Sequence, residues 1–202
     1  IINRFNVKEQ KVKTIYNAID LSDEISDFSA IKSKLNITER GYFYTISSML
    51  PHKNTETIIK LINKMKQAEN NKCPRKLVIT GVGKTSEIES LIERYNVKDN
   101  VIFTGYITNS ERNALYENAY AFLFPSIFEG FGMPPVEAMM LGVPTITTKC
   151  ASIKEVTEGK CLYVQEPFNV NEWYDKVLEI SGNMYEPVKF DNKYNIDYIC
   201  KQ

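Results

Sequence analysis

The chain has 202 residues, 43% of them hydrophobic, and its 25 basic side chains are balanced by 25 acidic ones. This apolar content is enough for one full core, so we expect one large domain. Zero net charge gives no electrostatic case for nucleic-acid binding, and no apolar segment of the sequence is long enough to span a bilayer. The four cysteines lack metal-ligand spacing, which favours free thiols in a reducing compartment.

The first forty residues have the least regular pattern. A strand is predicted at Lys13 to Tyr16, whereas Asp20 to Ser29 (DLSDEISDFS) has the composition of an acidic loop. The lysines between Lys8 and Lys13 are interrupted by other polar residues, which is typical of a solvated surface. We therefore treat residues 1–40 as an irregular leading segment.

From residue 41 onwards, strand and helix patterns alternate. The further predicted strands are Tyr42 to Ser47, Lys76 to Thr80, Val101 to Thr104, Ala119 to Phe124, Pro144 to Thr147 and Leu162 to Val164. The predicted helices are one capped by Asn54 and those at Thr85 to Tyr95, Ser110 to Tyr116, Val136 to Leu141 and Asn169 to Ile180. This alternation predicts an α/β fold, a Rossmann-like doubly wound parallel sheet, with its core at residues 41–182 and a tail or helix at 183–202.

Lys53 lies in the segment MLPHKN (Met49 to Asn54), between a predicted strand and a predicted helix. This position puts a cation at the carboxyl edge of the sheet, where ligands of open α/β folds bind. A fixed cation there can stabilise the charge that grows on a diphosphate leaving group. The alternative is a solvated surface lysine.

The segment PSIFEGFGMPPVEAM (Pro125 to Met139) follows the apolar run AYAFLF, which is typical of a buried parallel strand. Pro134 and Pro135 fit the first turn of a helix, and Gly142 fits its end. A helix start at the carboxyl edge offers backbone amides to anions. Because proline donates none, we expect the donors to be the amides of Gly130, Phe131, Gly132, Met133 and Val136.

Two glutamates flank this turn. Glu137, expected in the first helical turn, can accept hydrogen bonds from two vicinal hydroxyls such as those of a ribose, and Glu129 can meet the other end of the ligand. The alternative is a helix-capping acid and a solvated loop acid.

The two glutamates resemble the Glu-x7-Glu signature of family 4 retaining glycosyltransferases. Four further segments resemble successive blocks of that family, in its order: LVITGVG (Leu77 to Gly83), VIFTGYI (Val101 to Ile107), LYENAYAFLFPS (Leu115 to Ser126) and AMMLGVPTI (Ala138 to Ile146). The similarity covers residues 12–180. It implies the C-terminal, donor-binding domain of the two-domain GT-B fold. Because the chain opens at Ile1 without an initiator methionine, we expect a fragment whose N-terminal acceptor domain is absent.

The resemblance also implies roles for individual residues. Glu129 is expected near the donor sugar as the catalytic candidate, and Ile107 is expected to contact the nucleotide base through its backbone. In the family an arginine shares the diphosphate with the lysine, but this sequence has Ser47 and Ser48 where the arginine would fall. His52 is either the replacing cation or an exposed loop histidine, and the second is favoured because imidazole is mostly neutral at pH 7.

The expected function is therefore that of a glycosyltransferase which takes a nucleoside diphosphate sugar and builds a bacterial surface polysaccharide or lipid-linked glycan. The fragment should be inactive without its N-terminal domain. We expect no metal and no cofactor, a cytoplasmic location, and any membrane association only through the missing domain. The alternatives are another GT-B enzyme, such as a sugar-nucleotide epimerase, and a non-catalytic nucleotide-binding module. Base, sugar, acceptor, linkage and oligomeric state are left open by the sequence.

Overall fold

The computed structural model describes residues 2–21, 25–48, 50–68, 72–83, 85–182, 184–188 and 194–201. Their contacts divide the chain into two compact units. The larger unit lies within Leu21–Phe190 and the smaller within Ile1–Asp20 and Asp191–Gln202.

The larger unit is built on one sheet of six parallel strands in the order β3-β2-β1-β4-β5-β6. The strands are β1 (Phe43–Ile46), β2 (Leu77–Thr80), β3 (Val101–Gly105), β4 (Ala121–Phe124), β5 (Thr145–Thr148) and β6 (Leu162–Val164). Phe43 is in register with Leu77 on one side and with Ala121 on the other. The predicted α/β, doubly wound parallel sheet is confirmed.

Helices of the larger unit cover both faces of the sheet. They are α2 (Phe28–Leu35), α3 (Thr55–Gln67), α4 (Ser86–Arg94), α5 (Asn109–Glu117), α6 (Met133–Met140), α7 (Ile153–Val156) and α8 (Val170–Ser181). The smaller unit contains the short helices α1 (Ile2–Phe5) and α9 (Ile196–Ile199). One core cluster joins the sheet to α3, α4 and α8, and a second joins it to α2, α5, α6 and α7. Phe43 belongs to the first cluster and its neighbour Tyr44 to the second, since successive strand residues face opposite sides.

Burial on both faces explains why the central strands are apolar throughout. All four residues of β4, Ala121 to Phe124, are buried, as are all four of β2. Trp173, predicted on the apolar face of its helix, is fully buried, and its indole Nε1 donates to the carbonyl of Pro167 over 2.9 Å. The alternation of apolar strands and amphipathic helices therefore predicted this part of the fold correctly.

The acidic-loop interpretation of Asp20 to Ser29 missed the start of helix α2. Asp27 is the N-cap of this helix, and its carboxylate accepts a hydrogen bond from the Ser29 amide over 2.9 Å. Ile31 is buried, with Phe28 and Leu35 packed beside the same cluster, so the helix buries one apolar stripe. Residues 1–40 are thus less irregular than predicted.

The smaller unit shows why the strand predicted at Lys13 to Tyr16 is wrong. This segment has no regular secondary structure, and Ile15 is 61% exposed, so its apolar side chain is not part of a buried face. The nearest β-type pairing in this unit is a single bridge between Ile19 and Asn195. Of the predicted tail or helix at 183–202, the described part forms only the short helix α9.

Helix α6 has the predicted start and stop residues, but it begins at Met133, ahead of the predicted start at Val136. Prolines occupy its first turn, and Gly142 follows the helix end with a φ of 72°. The amide of Gly142 donates to the carbonyl of Met139, and the amide of Val143 donates to that of Ala138. These two bonds form a Schellman motif, which requires a left-handed residue where this glycine stands.

Candidate functional site

The candidate site lies at the carboxyl edge of the sheet, between strands β1 and β4. The strand order reverses there, because β1 leads to β2 on one side while β4 leads to β5 on the other. In open α/β sheets the loops that diverge from such a switch point leave a crevice for ligands. The two loops that leave this point carry Lys53 and Glu129.

Hydrogen bonds tie the two loops together. The carbonyl of His52 accepts from the amide of Ile127 over 2.8 Å and from the hydroxyl of Ser126 over 3.0 Å. Asn54, which is buried, donates through Nδ2 to the carbonyls of Pro125 and Pro167, at 3.3 and 3.1 Å. The turn that carries Lys53 is therefore fixed to the loop that carries Glu129.

The Asn54 side chain bonds to these loops and does not cap the helix that follows it, contrary to the prediction. Helix α3 does begin directly after it, but its side chain makes no capping bond to the helix amides. Its backbone is left-handed, with a φ of 50°, a conformation that asparagine tolerates better than most residues. The side chain is used to hold the neighbouring loops instead.

Lys53 and Glu129 form an ion pair across the crevice. Lys53 Nζ lies 2.7 Å from Glu129 Oε1, and the two side chains are 23% and 13% exposed. The same ammonium lies 5.5 Å from the centre of the Phe124 ring, within the range of a cation–π contact. The structure thus brings two of the predicted site residues into direct contact.

The turn from Gly130 to Gly132 joins Glu129 to helix α6. Ser152, just before α7, donates its hydroxyl to the carbonyls of Gly130 and Phe131, at 2.6 and 3.1 Å. Gly132 has a φ of 88°, and a Cβ added to it would come within 2.1 Å of Ile153 Cδ1. Glycine suits this position because the left-handed backbone disfavours a side chain, and a Cβ would also require the tip of the Ile153 side chain to shift.

Backbone amides without a hydrogen-bond acceptor lie at the start of α6. No described residue accepts a hydrogen bond from the amides of Gly130, Gly132 or Met133. A helix start normally presents four such amides, but Pro134 and Pro135 replace two of them. The remaining donors are thus concentrated at the turn beside Glu129.

Glu137 lies deeper than predicted. It is the fifth residue of α6, so it stands in the second turn and not in the first, because the helix already begins at Met133. The residue is only 8% exposed. Its Oε2 accepts a hydrogen bond from the Tyr116 hydroxyl at 3.0 Å, and its Oε1 lies 3.9 Å from Arg112 Nη1.

Arg112 and Tyr116 are the neighbours that the sequence interpretation did not assign to the site. They are four residues apart on α5 and therefore share one side of that helix. Burial, followed by the charge of Glu137, raises the pKa of the Tyr116 hydroxyl well above its ordinary value, so this phenol remains a donor. The spacing of the two residues was visible in the sequence, but the approach of α6 to α5 was not.

Ile107 lies at another part of the carboxyl edge, in the loop after β3. It is half-buried and borders a cavity of about 80 Å³, together with residues of α2 and α5 such as Leu35 and Glu111. Tyr106 beside it is 90% exposed. The predicted contact between the Ile107 backbone and a nucleotide base stays a prediction.

All four cysteines are free thiols in the structure, as predicted. Cys150 follows β5 and donates through Sγ to the Ser126 carbonyl over 3.3 Å. Burial is the main cause that raises the pKa of this thiol, and it raises that of Cys161 to about 12. Both thiols are therefore protonated and weakly nucleophilic near neutral pH.

The described residues contain neither a candidate metal cluster nor a membrane-spanning helix. No group of three or more His, Cys, Asp or Glu side chains there is arranged to hold a metal ion. None of the helices in that part of the chain combines the length and the apolar character needed to cross a membrane.

The sheet order and the position of the crevice place the chain in the doubly wound, Rossmann-like class. The family model described as glycosyl transferases group 1 matches residues 27–193, and the chain belongs to that family. The family resemblance carried by the sequence motifs is therefore confirmed.

Two relatives are named as O-antigen chain mannosyltransferases. The chain is 30% identical to the O-antigen chain mannosyltransferase RfbU of Salmonella typhimurium, over 98% of this chain and 53% of the relative. It is 28% identical to the O-antigen chain mannosyltransferase B of Escherichia coli, over 89% of this chain and 48% of the relative. The chain thus spans about half the length of these relatives.

Solved structures share the fold at lower identity. The Anabaena protein HepE, solved in complex with UDP and glucose, superposes with a TM-score of 0.78 at 17% identity, over 99% of this chain and 57% of that one. The sucrose-phosphate synthase of Thermosynechococcus elongatus gives 0.74 at 21% identity, over 94% and 50% of the two chains. In both cases the match covers about half of the solved chain.

Proposed function

We propose that this chain is the donor-binding domain of a retaining glycosyltransferase. The whole enzyme would move a sugar from a nucleoside diphosphate to a hydroxyl acceptor, in the synthesis of a bacterial surface polysaccharide or a lipid-linked glycan. The observation that carries the proposal is the meeting of Lys53 and Glu129 at the switch point of the sheet, beside the free amides of α6. A cation, backbone donors and a carboxylate in one crevice suit a diphosphate joined to a sugar.

In this proposal Lys53 and the amides of Gly132 and Met133 hold the diphosphate, with the turn from Gly130 through Phe131 lying against it. Negative charge grows on this group as the glycosidic bond breaks, and fixed donors stabilise that change. A bound diphosphate competes with Glu129 for the Lys53 ammonium. Glu129 is then released towards the donor sugar, which gives the ion pair a role in coupling the two ends of the ligand.

The other contacts concern the nucleoside. Glu137 accepts hydrogen bonds from the ribose hydroxyls, and the backbone at Ile107 contacts the base. In this proposal Lys53 and the backbone amides supply the positive charge at the diphosphate, and no metal ion is required. The acceptor and the groups that act on it belong to the other half of the enzyme, which we propose to work in the cytoplasm with any membrane association through that half.

The names of the relatives support a choice of donors for the test. RfbU and the mannosyltransferase B are mannosyltransferases by name, whereas HepE was solved with UDP and glucose. A calorimetric titration of the 202-residue chain should therefore include UDP, GDP and ADP, together with UDP-glucose and GDP-mannose. We expect one base to be preferred and no sugar transfer by this chain alone.

The outcomes separate the alternatives. Failure to bind any of these nucleotides would contradict the proposed function, and turnover by this chain alone would contradict its assignment as half of an active site. Conversion of the sugar nucleotide to its epimer by the full-length protein, without an acceptor, would support an epimerase. Binding by a full-length protein that never transfers sugar would support a non-catalytic module.

A further inference from the structure

The two oxygens of the Glu137 carboxylate have different surroundings. Oε2 accepts the hydrogen bond of Tyr116, whose side chain is fully buried and packs edge-on against the Tyr44 ring at 4.9 Å. Oε1 lies 3.9 Å from Arg112 Nη1, which is too far for a hydrogen bond but close enough for charge attraction. The structure therefore fixes one oxygen and leaves the other able to accept.

Among the described residues, none forms a hydrogen bond with the Arg112 side chain that would explain its position. Its side chain is 22% exposed, and its Nε is buried with no hydrogen-bond partner among the described residues. A guanidinium placed only for stability would be expected to form the two parallel bonds that its planar group makes with a carboxylate. Here it faces Glu137 without occupying the acceptor sites of Oε1.

We propose that Arg112 and Tyr116 are positioning residues that orient the Glu137 carboxylate so that Oε1 receives a ribose hydroxyl. The inference rests on the proposed function. Tyr116 sets the rotation of the carboxylate from the buried side, and Arg112 offsets its charge, because a carboxylate this far from water is unfavourable without an opposite charge. Neither residue touches the ligand itself, and both act through Glu137.

The test compares two ligands that differ only in the hydroxyls concerned. Calorimetry on the 202-residue chain uses the nucleoside diphosphate that binds best among UDP, GDP and ADP, and then its 2′,3′-dideoxy form. The wild type should prefer the ribose form by roughly ten- to a hundred-fold, since the hydroxyl bond to the charged Oε1 is lost in the analogue. Arg112→Leu should weaken binding of the ribose form about ten-fold and leave the dideoxy form unchanged.

Companion variants separate positioning from a structural role. Tyr116→Phe keeps the buried ring and removes only the hydroxyl, so it should also reduce the preference for ribose about ten-fold. Arg112→Lys keeps the charge and should recover part of the loss, and it replaces Arg112→Leu if that variant does not fold. Arg94→Leu, an exposed arginine on helix α4 of the opposite face, is the matched control and should change neither affinity.

The inference can fail separately from the function. No binding of any nucleoside diphosphate by the wild type overturns both. A preference for ribose that Glu137→Gln removes, but that folded Arg112 and Tyr116 variants retain, overturns the inference alone. Equal losses for the ribose and dideoxy forms overturn it as well, because they show a general effect on the domain and not an effect through the hydroxyls.

Discussion

Glu129 and Glu137 stand eight positions apart in one loop and helix, yet the structure treats them differently. Glu129 pairs with a cation from a neighbouring loop, Lys53, over 2.7 Å. Glu137 stands inside the helix layer, held by a phenol and faced by a guanidinium, both from α5. The two carboxylate side chains are about equally exposed, at 13% and 11%, so they differ in their partners. The ion pair of Glu129 can be exchanged for a ligand, whereas Glu137 keeps a hydrogen bond from the fully buried Tyr116 hydroxyl.

This difference predicts that substitutions at the two glutamates change binding and stability by different amounts. A partly exposed ion pair such as Lys53 with Glu129 contributes at most about 1 kcal/mol, because solvent screens it and both side chains lose freedom. Glu137 accepts the hydrogen bond of the fully buried Tyr116 hydroxyl, so a change at this carboxylate disturbs a donor that has no access to water. The largest effects should therefore lie at Glu137 and at the turn that leads to it.

Glu137→Gln should have the largest effect on binding. The variant keeps the shape of the side chain but turns one acceptor into a donor, and hydrogen bonds to a charged acceptor contribute about 1.5 to 3 kcal/mol each. We expect a loss of about 3 kcal/mol, or more than a hundred-fold in affinity, for a nucleoside diphosphate and for its sugar-bearing form alike. Calorimetry measures both. Unchanged affinities in a folded variant would show that Glu137 does not bind the ribose.

Gly132→Ala tests the turn between the two carboxylates. Its φ of 88° is unfavourable for alanine, and the added Cβ would meet Ile153 Cδ1 at 2.1 Å. The left-handed backbone costs about 1 to 2 kcal/mol and the overpacking about 1 to 3, so we expect a loss of about 2 to 5 kcal/mol in the free energy of unfolding. Urea denaturation followed by circular dichroism measures it.

Gly105→Ala is the matched control for that variant. Gly105 also has a positive φ, of 69°, but an added Cβ would meet nothing within 4 Å. It should lose only the backbone part, about 1 to 2 kcal/mol. Equal losses for the two variants would show that contact with Ile153 does not restrict Gly132.

Much of the fold could be predicted from sequence because the pattern that makes it is local. Strands such as Ala121 to Phe124 are apolar along their whole length, and a helix such as α6 carries its own start and stop signals in Pro134 and Gly142. Helix α2 was missed although Asp27 and the spacing of Phe28 and Ile31 were available, because the acidic composition around them was given more weight.

The candidate site was less predictable because its contacts cross between elements. The sequence places Lys53 and Glu129 after strands, but only the strand order makes β1 and β4 neighbours and so allows the ion pair. The partners of Glu137 depend on the packing of α6 against α5, which no spacing in the chain reveals. Glu137 was predicted in the first turn of α6 and stands in the second, because the helix begins at Met133, one residue before its prolines.

Lys53→Ala should affect only ligands that carry the diphosphate. A charge-assisted hydrogen bond to a phosphate contributes about 1 to 3 kcal/mol, so the affinity for a nucleoside diphosphate should fall roughly ten- to a hundred-fold. The affinity for the nucleoside alone should barely change. Because the variant also leaves Glu129 without its partner, Lys53→Ala combined with Glu129→Gln serves as the control for repulsion between the carboxylate and the phosphates. Equal losses for nucleoside and diphosphate would remove Lys53 from this role.

Glu129→Gln should give the smallest effect, and one whose sign depends on the ligand. The substitution breaks the ion pair with Lys53, so the ammonium no longer has to leave a carboxylate before it binds a diphosphate. Since such a pair contributes at most about 1 kcal/mol, the affinity for the nucleoside diphosphate should stay the same or rise up to about five-fold. The sugar-bearing form should bind to the variant more weakly than to the wild type, because the carboxylate that meets the sugar is lost.

Calorimetry with both ligands on the same protein preparation gives the ratio of the two affinities directly. Glu137→Gln, which should weaken both, is the contrasting variant. If Glu129→Gln weakened the affinity for both ligands equally, the two glutamates would bind the same part of the ligand. Glu129 would then not be an exchangeable partner of Lys53 with a role distinct from that of Glu137.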